Sequence, residues 1–291
     1  MDAANGEFPN AQITIAQCAS LACLLEVTAP KPGNVHRGAD FEHLTFADFV
    51  VSSVAIGPIL GRTQELGVGR TVLEAVRATQ QFVATNTNLG TLLLMAPLAA
   101  VPRAESLREG ISKVLSDLSP IDSAAVYEAI RLANPGGMGV VMEMDLSGEP
   151  PSELLAAMRY AADRDLAARQ YVNGFQDVLE VVVPWLVEGQ NGGWSLTTST
   201  IHTHVRLMAE HADSLISRKC GFEIAKESSR LAGRVLEAGA PDTTAYQHAL
   251  ADLDFWLRGD AQRRNPGTTA DLIAASLFVL LREQIIDWPV R

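Results

Sequence analysis

The stretch from Ile13 to Gly33, ITIAQCASLACLLEVTAPKPG, decides the fold class of this chain. Apolar side chains such as Ala16, Leu21 and Leu24 recur in it at roughly helical spacing. The pattern stops at Pro30-Lys31-Pro32-Gly33, because prolines and glycine do not continue a helix. The same alternation of helical runs and Gly, Asn or Pro breaks recurs along the chain, so the sequence predicts an all-α fold.

Explicit start signals mark several of the predicted helices. Thr45 with Asp48 three residues later forms a variant capping box, and Ser119 followed by Pro120 begins another helix. Pro184 should kink or end the helix that contains it. Beyond the first helix, the periodicity predicts helices over residues 45–56, 68–83, 90–100, 104–118, 120–132, 151–188, 196–212, 222–238, 242–257 and 268–284.

Composition and charge exclude several classes of protein. The chain has 291 residues, of which 47% are hydrophobic and 20% charged, as in a globular protein with an ample core. Its formal net charge is −11 and no cluster of Lys and Arg is present, so we expect no nucleic-acid partner. The longest apolar run, Leu92–Val101, is about half of the roughly 20 residues that a membrane helix needs. We therefore expect no membrane partner.

Two further features bear on the compartment. The first residues of the chain carry acids, where a signal peptide would carry bases before an apolar run. The three cysteines, Cys18, Cys23 and Cys220, are scattered and cannot form an even disulfide framework. These features predict a cytoplasmic protein.

The loops between the predicted helices are the most informative part of the sequence. No stretch has the composition of an interdomain linker, so we expect a single large multi-helix domain over residues 1–291. The best strand signal, at 140–142, is short. Loops rich in Gly, Asn and Pro let the backbone approach a ligand. We therefore expect a ligand site built from the inter-helix loops at 28–43, 85–90, 134–139, 189–194 and 259–267.

The loop that follows the first helix offers Lys31, His36, Arg37 and Asp40 within ten residues. Cations, free backbone N–H groups and a carboxylate for a metal ion are what a phosphate group needs. A rigid connector with solvated charges is the equally weighted structural interpretation.

Two more loops have ordinary structural explanations. In Thr85–Gly90, small polar side chains precede a helix and are typical caps, although the same N-terminus could bind an anion. In the loop that ends at Asp271, Thr268 and Asp271 have the spacing of a capping box, which is a sufficient explanation for both. Structure is the favoured interpretation of both loops.

Three histidines, His202, His204 and His211, lie within ten residues and are followed by Asp213. They could ligate a metal together, but no HExxH motif is present, and clustered histidines on a helix are more often bystanders. Asp213 with Arg218 could instead bind a polyphosphate carrying magnesium.

Four polar residues lie in mostly apolar helical stretches. Glu26 and Asp177 have apolar neighbours, which favours partial burial with a partner. For Asp165 a solvated helix face is the favoured interpretation, and the same interpretation is open for Tyr171.

Four segments, in order along the chain, resemble the triphosphoribosyl-dephospho-CoA synthase family. Leu25–Gly33 is similar to the family's Leu-Glu-Val…Thr-Pro-Lys-Pro-Gly stretch, and Asn86–Gly90 falls where the family has Asn-Thr-His-Lys-Gly. Asp213–Gly221 resembles Asp-Thr-Asn…Arg-Gly-Gly, and Asn265–Leu272 resembles Ser-Pro-Gly-Gly-Ser-Ala-Asp-Leu. The resemblance runs from about residue 24 to 281, and the family's members are all-α proteins of about this length.

The resemblance implies a reaction in which ATP loses adenine and its triphosphoribosyl group passes to the ribose 2′-hydroxyl of 3′-dephospho-CoA. Mg²⁺ accompanies ATP in this reaction. By resemblance, the catalytic carboxylates are Glu26, Asp213 and Asp271, of which Asp213 and Asp271 are also the candidate Mg²⁺ ligands. The implied substrate- and phosphate-binding residues are Lys31, Gly33, Asn34, Arg37, Asn86, Asn88, Gly90, Arg218, Lys219, Asn265 and Gly267.

The chain departs from the family pattern at several positions. Asn88-Leu89 stands where the family has His-Lys, and Lys219-Cys220 replaces small residues beside Arg218. A lost lysine weakens binding of a triphosphate unless Lys219 or Arg37 substitutes for it. These departures suggest a divergent branch.

Several alternatives stay open at the level of the sequence. One is ribosyl or phosphoribosyl transfer in the biosynthesis of a tetrahydromethanopterin-type cofactor. The rivals from other classes are an all-α metal-dependent phosphohydrolase using the histidines, and a non-catalytic helical scaffold. The apolar helix predicted at 90–100 is also compatible with a homo-oligomer.

Overall fold

The computed structural model describes residues 12–136 and 148–286, and these residues form helices joined by loops. The fifteen α-helices of the described residues are α1 (Ile15–Thr28), α2 (Phe46–Leu60), α3 (Thr63–Leu66), α4 (Val68–Gln80), α5 (Leu89–Ala100), α6 (Leu107–Ser116), α7 (Pro120–Ala133), α8 (Leu154–Ala161), α9 (Leu166–Asn173), α10 (Val183–Asn191), α11 (Leu196–Glu210), α12 (Ser214–Cys220), α13 (Phe222–Glu237), α14 (Thr244–Arg258) and α15 (Gly267–Arg282). A π-helix covers Asp177–Val182. The described residues contain no β-strand, which confirms the predicted all-α fold.

Helix α15 lies at the centre of the fold. Its sequence, GTTADLIAASLFVLLR, is apolar on all sides from Leu272 to Leu281 apart from Ser276, as expected of a helix surrounded by others. It packs against α1, α5, α9, α10, α11, α12 and the π-helix. Because only its first turn carries several polar side chains, the N-terminus of α15 is where a polar site can form inside the bundle.

A second apolar cluster lies between α11, α13 and α14. Val205, Met208 and Leu257 are among its fully buried members, and Tyr246 is 1% exposed. Helix α14 is also tied to the loop that follows α1, because Asp254 of α14 accepts a hydrogen bond from the Gly33 N–H at 2.8 Å.

The structure confirms the helix N-termini that were predicted from cap signals. Thr45 and Asp48 form a reciprocal capping box at α2, and Ser119 with Asp122 does the same at α7, where Pro120 is the first helical residue. These motifs act through neighbours in sequence, so the sequence alone determines them.

The single long helix predicted over 151–188 is wrong. The structure replaces it by α8, α9, the π-helix and α10. Asp165 accepts hydrogen bonds from the N–H groups of Ala167 and Ala168 and so begins a new helix, and Gly174 ends that helix with φ 69°. Pro184 stands in the first turn of α10, where the π-helix passes directly into an α-helix.

Two sequence predictions fall wholly or partly outside the described residues. The strand signal at 140–142 lies outside the described residues, as does half of the loop at 134–139. None of the helices in the described residues combines the length and the hydropathy that a membrane crossing needs.

Candidate active site

Asp271 lies in the first turn of α15 and does not cap it. The predicted capping box of Thr268 with Asp271 is wrong, because α15 begins at Gly267 after Pro266 with no side-chain cap. The Asp271 carboxylate instead accepts a hydrogen bond from the Thr91 hydroxyl of α5 at 2.7 Å. The side chain therefore points across to α5 and is free of a structural role in its own helix.

Burial raises the pKa of Asp271 to about 7. The negative charges of Glu26, Asp213 and Asp165 raise this pKa further, and the hydrogen bond from Thr91 opposes the shift. Residue Asp271 itself is only partly buried. A carboxyl group that gains and loses a proton near neutral pH suits proton transfer, so Asp271 is the strongest candidate for a catalytic group.

Glu26, one of the neighbouring carboxylates, has a dedicated cation. The Lys31 ammonium lies 2.8 Å from its Oε1 and also donates to the main-chain carbonyls of Glu26 and Ala29. The Lys31 side chain is 0% exposed and that of Glu26 is 11% exposed. Lys31 thus turns inward at the end of α1, so in this conformation it neutralises Glu26 and does not present a charge to solvent.

Asp213 ties two helix N-termini together. Its Oδ1 accepts from the N–H groups of Leu215 and Ile216, which caps α12. Its Oδ2 accepts from both the N–H and the hydroxyl of Thr269 in α15. Burial raises the pKa of Asp213, and the bonds from Thr269 and Ile216 counter that rise. Asp213 therefore fixes the position of the turn that carries Asp271.

Asp165 is the fourth carboxylate of the cluster that Glu26, Asp213 and Asp271 form with it. It forms an ion pair with Arg218 of α12 while capping α9, and both side chains are about a quarter exposed. The solvated helix face expected for Asp165 is therefore wrong. The expected partner of Asp177 is confirmed, since Arg169 lies 2.7 Å from its Oδ2. Tyr171 is buried, and its hydroxyl donates to the Leu93 carbonyl.

Gly90 is required by the close approach of α5 to Asp271. A Cβ atom at this position would lie 2.0 Å from Oδ2 and 2.6 Å from Cγ of Asp271. Both residues are partly accessible. The Gly90 backbone therefore shapes the wall against which the Asp271 carboxylate sits.

The loop after α1 is fastened to the loop before α15. The Asn34 side chain donates to Oδ1 of Asn265 at 2.7 Å, and Arg258 donates to the Asn34 carbonyl at 2.7 Å. Gly33 has φ 75° and its Cα approaches Leu257 so closely that a Cβ would lie 2.8 Å from it. The structure thus brings together the first and last loops that the sequence analysis selected.

The remaining predicted residues have different surroundings. Asn86 accepts from the Leu89 N–H at the start of α5, and buried Asn88 donates to the Thr79 hydroxyl. Lys219 is half-buried, and burial lowers its pKa. Arg37 is exposed on the loop after α1. A Cβ on Gly267 would lie 2.6 Å from Leu215, so this glycine packs α15 against α12.

The three histidines do not form a metal site. His204 is fully buried beside Lys31, and burial lowers its pKa well below its usual range. His202 contacts the Tyr246 hydroxyl, whereas His211 contacts Arg169, so the three rings face different neighbours. Within residues 12–136 and 148–286, no group of three or more His, Cys, Asp and Glu side chains is arranged to hold a metal ion.

The cluster also does not fit a Mg²⁺ ion held by both Asp213 and Asp271. Each oxygen of Asp213 already accepts two hydrogen bonds, and a metal ligand would have to give these up. Oδ1 of Asp271 already accepts the hydrogen bond of the Thr91 hydroxyl.

Sequence reasoning missed Thr91 and Thr269 because each meets its carboxylate across the fold. Thr91 is 180 positions from Asp271, and nothing in either segment points to the other. The capping role of Asp165 had a signal, because an Asp before an apolar run is a typical helix start.

Comparison with known proteins gives the same family at three levels. A family model described as CitG, ATP:dephospho-CoA triphosphoribosyl transferase, matches residues 12–289. The chain is 28% identical over 286 residues to a protein of Malonomonas rubra named "probable 2-(5''-triphosphoribosyl)-3'-dephosphocoenzyme-A synthase", covering 89% of this chain and 84% of the relative. A protein of Pseudomonas syringae pv. tomato with the same name is 31% identical over 113 residues, and the match spans only 38% of that relative's length.

A solved structure has the same fold. It is the crystal structure of a protein from Archaeoglobus fulgidus assigned as a triphosphoribosyl-dephospho-CoA synthase. Its TM-score with this chain is 0.63 at 25% identity, and the match covers 82% of this chain and 99% of that one.

Proposed function

Because the chain belongs to the CitG family of ATP:dephospho-CoA triphosphoribosyl transferases, we propose that it moves the 5-triphosphoribosyl group of ATP to the 2′-hydroxyl of 3′-dephospho-CoA and releases adenine. The family match covers nearly the whole chain, which supports the activity. One observation in the structure carries the proposal: the partly accessible Asp271, whose pKa is raised to about 7 inside a group of carboxylates.

The reaction exchanges one bond at C1′ of the donor ribose. The C–N bond between C1′ and adenine breaks, and the bond between C1′ and the acceptor's 2′-oxygen forms. The attacking hydroxyl loses one proton and the departing adenine gains one, so charge and atoms balance. Since the reacting carbon has oxocarbenium character, nearby carboxylates stabilise it.

We assign the proton transfer to Asp271. As a carboxylate it accepts the proton of the acceptor hydroxyl, which requires a pKa close to the working pH. The Thr91 hydroxyl and the Gly90 backbone hold its orientation. Glu26 is neutralised by Lys31, and Asp213 is fully hydrogen-bonded, so both act through the position of Asp271 in this proposal.

The triphosphate requires cations, and we place it near Arg218 and Lys219. Arg263 donates to the Lys219 carbonyl, which brings a third cation to the same region. Mg²⁺ arrives with ATP as part of the substrate. The three free cysteines, Cys18 among them, are consistent with a reaction in the cytoplasm.

The acceptor has a second candidate. The family's His-Lys pair is Asn88-Leu89 here, and the structure shows Leu89 buried and Asn88 bonded to Thr79. This segment therefore presents no cation to an anionic substrate. That observation favours, as the second candidate, ribosyl transfer to an intermediate of a tetrahydromethanopterin-type cofactor.

Chromatographic detection of adenine tests the proposal. The pure protein is incubated with ATP and Mg²⁺, with and without 3′-dephospho-CoA, and we expect free adenine only when dephospho-CoA is present. If ATP raises the melting temperature but no adenine appears, the acceptor is a different one. If neither adenine nor thermal stabilisation is found, the proposed function is wrong.

Gly90→Ala is expected to reduce transfer by about 10²-fold, because the new methyl group must displace the Asp271 carboxylate and small misplacements of reacting groups have effects of this size. The measurement is kcat for adenine release. Gly233→Ala in α13 is the matched control, since a Cβ there meets nothing within 4 Å. Equal rates for the two variants would contradict the role given to Gly90.

A further inference from the structure

Helix α2 carries a continuous apolar stripe along one side. Its six members are exposed or half-buried and recur at helical spacing: Ala47, Val50, Val51, Val54, Ala55 and Pro58. At 3.6 residues per turn these positions span an arc of about 140° around the helix. Val51 is 39% exposed and Val54 is 60% exposed. The other side of α2, with Ile56 and Leu60, is buried where α2 packs on α1 and α4, so the stripe is the side that the fold leaves open.

The stripe carries no charge. The one acid of α2, Asp48, belongs to the capping box with Thr45. By contrast, the outer side of α13 exposes Lys226, Arg230 and Arg234. Isolated apolar side chains are common on protein surfaces, whereas a contiguous apolar patch marks an interaction site. The stripe therefore requires a partner that is itself apolar.

Helix α5, the apolar helix that made a homo-oligomer compatible with the sequence, is not the exposed one. Most of its residues are buried, with Leu92, Leu94 and Met95 at 0% exposure. Its apolar surface is therefore satisfied inside the bundle. Of these two apolar helices, α2 is the one that presents a surface to another molecule.

The stripe matches a second copy of itself in an antiparallel arrangement. In an antiparallel pair centred between positions 52 and 53, Val51 lies opposite position 54 of the second copy, and the outer positions pair as 50 with 55 and 47 with 58. Each outer pair then joins an alanine to a valine or a proline, so a small side chain meets a larger one. A two-fold axis needs a surface that is complementary to itself in this way.

The charges at the two ends of α2 also favour the antiparallel arrangement. Glu42 lies just before α2 and Arg62 just after it, and both side chains are exposed. Antiparallel pairing brings the Arg62 end of one copy to the Glu42 end of the other, which gives an apolar centre with a charged rim. The net charge of −11 makes two copies repel elsewhere and opposes binding to an anionic lipid surface.

The loop between α4 and α5 enlarges the apolar area near α2. It carries Phe82, which is 67% exposed, and it reaches α2 because the hydroxyls of Thr87 and Ser52 are 2.7 Å apart. One helix with such a loop is still smaller than the roughly 800 Å² that each partner of a standard interface contributes. We therefore expect association that depends on protein concentration.

We propose that the α2 stripe is the contact surface of a homodimer in which the α2 helices of two copies pack antiparallel about a two-fold axis. The occupant of the stripe is thus a second copy of this chain. This dimer does not depend on the proposed function, because none of the candidate catalytic residues belongs to the stripe.

Sedimentation velocity at chain concentrations from about 1 μM to about 100 μM tests the dimer. We expect the wild-type mass to rise from 31.2 kDa towards twice that value. Val54→Lys should weaken association at least about 10-fold, because it places an ammonium group inside an apolar contact. Val172→Lys in α9 is the matched control, since Val172 is 47% exposed and lies outside the stripe. Circular dichroism checks that both variants keep their helices.

A mixture of two variants tests the antiparallel pairing itself. Val51→Lys and Val54→Glu should each be monomeric, and equal amounts of the two should form a mixed dimer, because the new ammonium of one lies opposite the new carboxylate of the other.

Three results would overturn the inference: a wild-type chain that stays monomeric throughout, a dimer that survives Val54→Lys, or a mixture that does not associate. Monomeric wild-type protein that binds vesicles of phosphatidylcholine would assign the stripe to a lipid surface and overturn the dimer as well. Since no substrate is present, a dimer formed by a chain without transfer activity still supports the inference and leaves only the proposed function rejected.

Discussion

Asp271→Asn is expected to lower dephospho-CoA-dependent adenine release by about 10² to 10⁴-fold, the usual contribution of a positioned acid–base group. Asparagine keeps the shape of the side chain and can still accept the Thr91 hydrogen bond, but it cannot take a proton. The decrease should therefore appear in kcat at saturating ATP and dephospho-CoA. A variant that retains the wild-type rate would remove Asp271 from the mechanism.

The same variant has a built-in control for folding. The pKa of Asp271 is raised from 3.8 to about 7 in the folded protein, so the folded state holds the proton more tightly than the unfolded state. This residue then makes the free energy of unfolding fall as pH rises from about 4 to about 7, by about 1.4 kcal/mol for each unit of raised pKa. Because Asn resembles the protonated form, Asp271→Asn should be more stable than wild type at pH 8. Chemical denaturation at pH 5 and pH 8 measures this difference.

Thr91→Val separates the position of Asp271 from its presence. The Thr91 hydroxyl stabilises the carboxylate, so its removal should raise the pKa of Asp271 further and shift the pH dependence of the reaction upward. A variant that only loosened packing would lose activity equally at every pH.

Lys31→Ala is expected to destabilise the protein by about 3–5 kcal/mol, because it leaves the Glu26 carboxylate nearly buried with no counter-charge. The main-chain carbonyls of Glu26 and Ala29 would lose the Lys31 ammonium as a hydrogen-bond donor at the same time. Denaturant unfolding monitored by circular dichroism measures the change. Transfer activity should fall as well, since Glu26 contributes to the charge around Asp271.

A double variant distinguishes the ion pair from simple loss of packing. Glu26→Gln with Lys31→Met removes both charges and keeps most of the volume, and it should recover most of the stability lost in Lys31→Ala. If the double variant is as unstable as the single one, the ion pair is not the reason for the loss.

The sequence was sufficient for features that depend on near neighbours. The capping boxes at Thr45 and Ser119 are each determined within four residues, and both are present in the structure. The motif loops at 28–43 and 259–267 were also selected correctly as partners, since Asn34 and Asn265 are hydrogen-bonded.

What the sequence could not provide is the set of contacts between distant segments. Asp271 has the spacing of a cap to Thr268, and only the position of Thr91 on another helix shows that its carboxylate points elsewhere. Lys31 likewise has the appearance of an exposed cation in a Pro-Gly loop, yet the geometry of the α1 end turns it onto Glu26. In both cases a tertiary contact overrides a local pattern that is otherwise valid.

The pH dependence of dephospho-CoA-dependent adenine release, measured from pH 5.5 to 8.5, tests the central claim most directly. Since Asp271 must be ionised to accept the hydroxyl proton, we expect kcat/KM to rise with pH, to level off above about pH 7, and to lose this inflection in Asp271→Asn. A rate that does not change across this range, or an inflection that persists in Asp271→Asn, would contradict the assignment of Asp271 as the base.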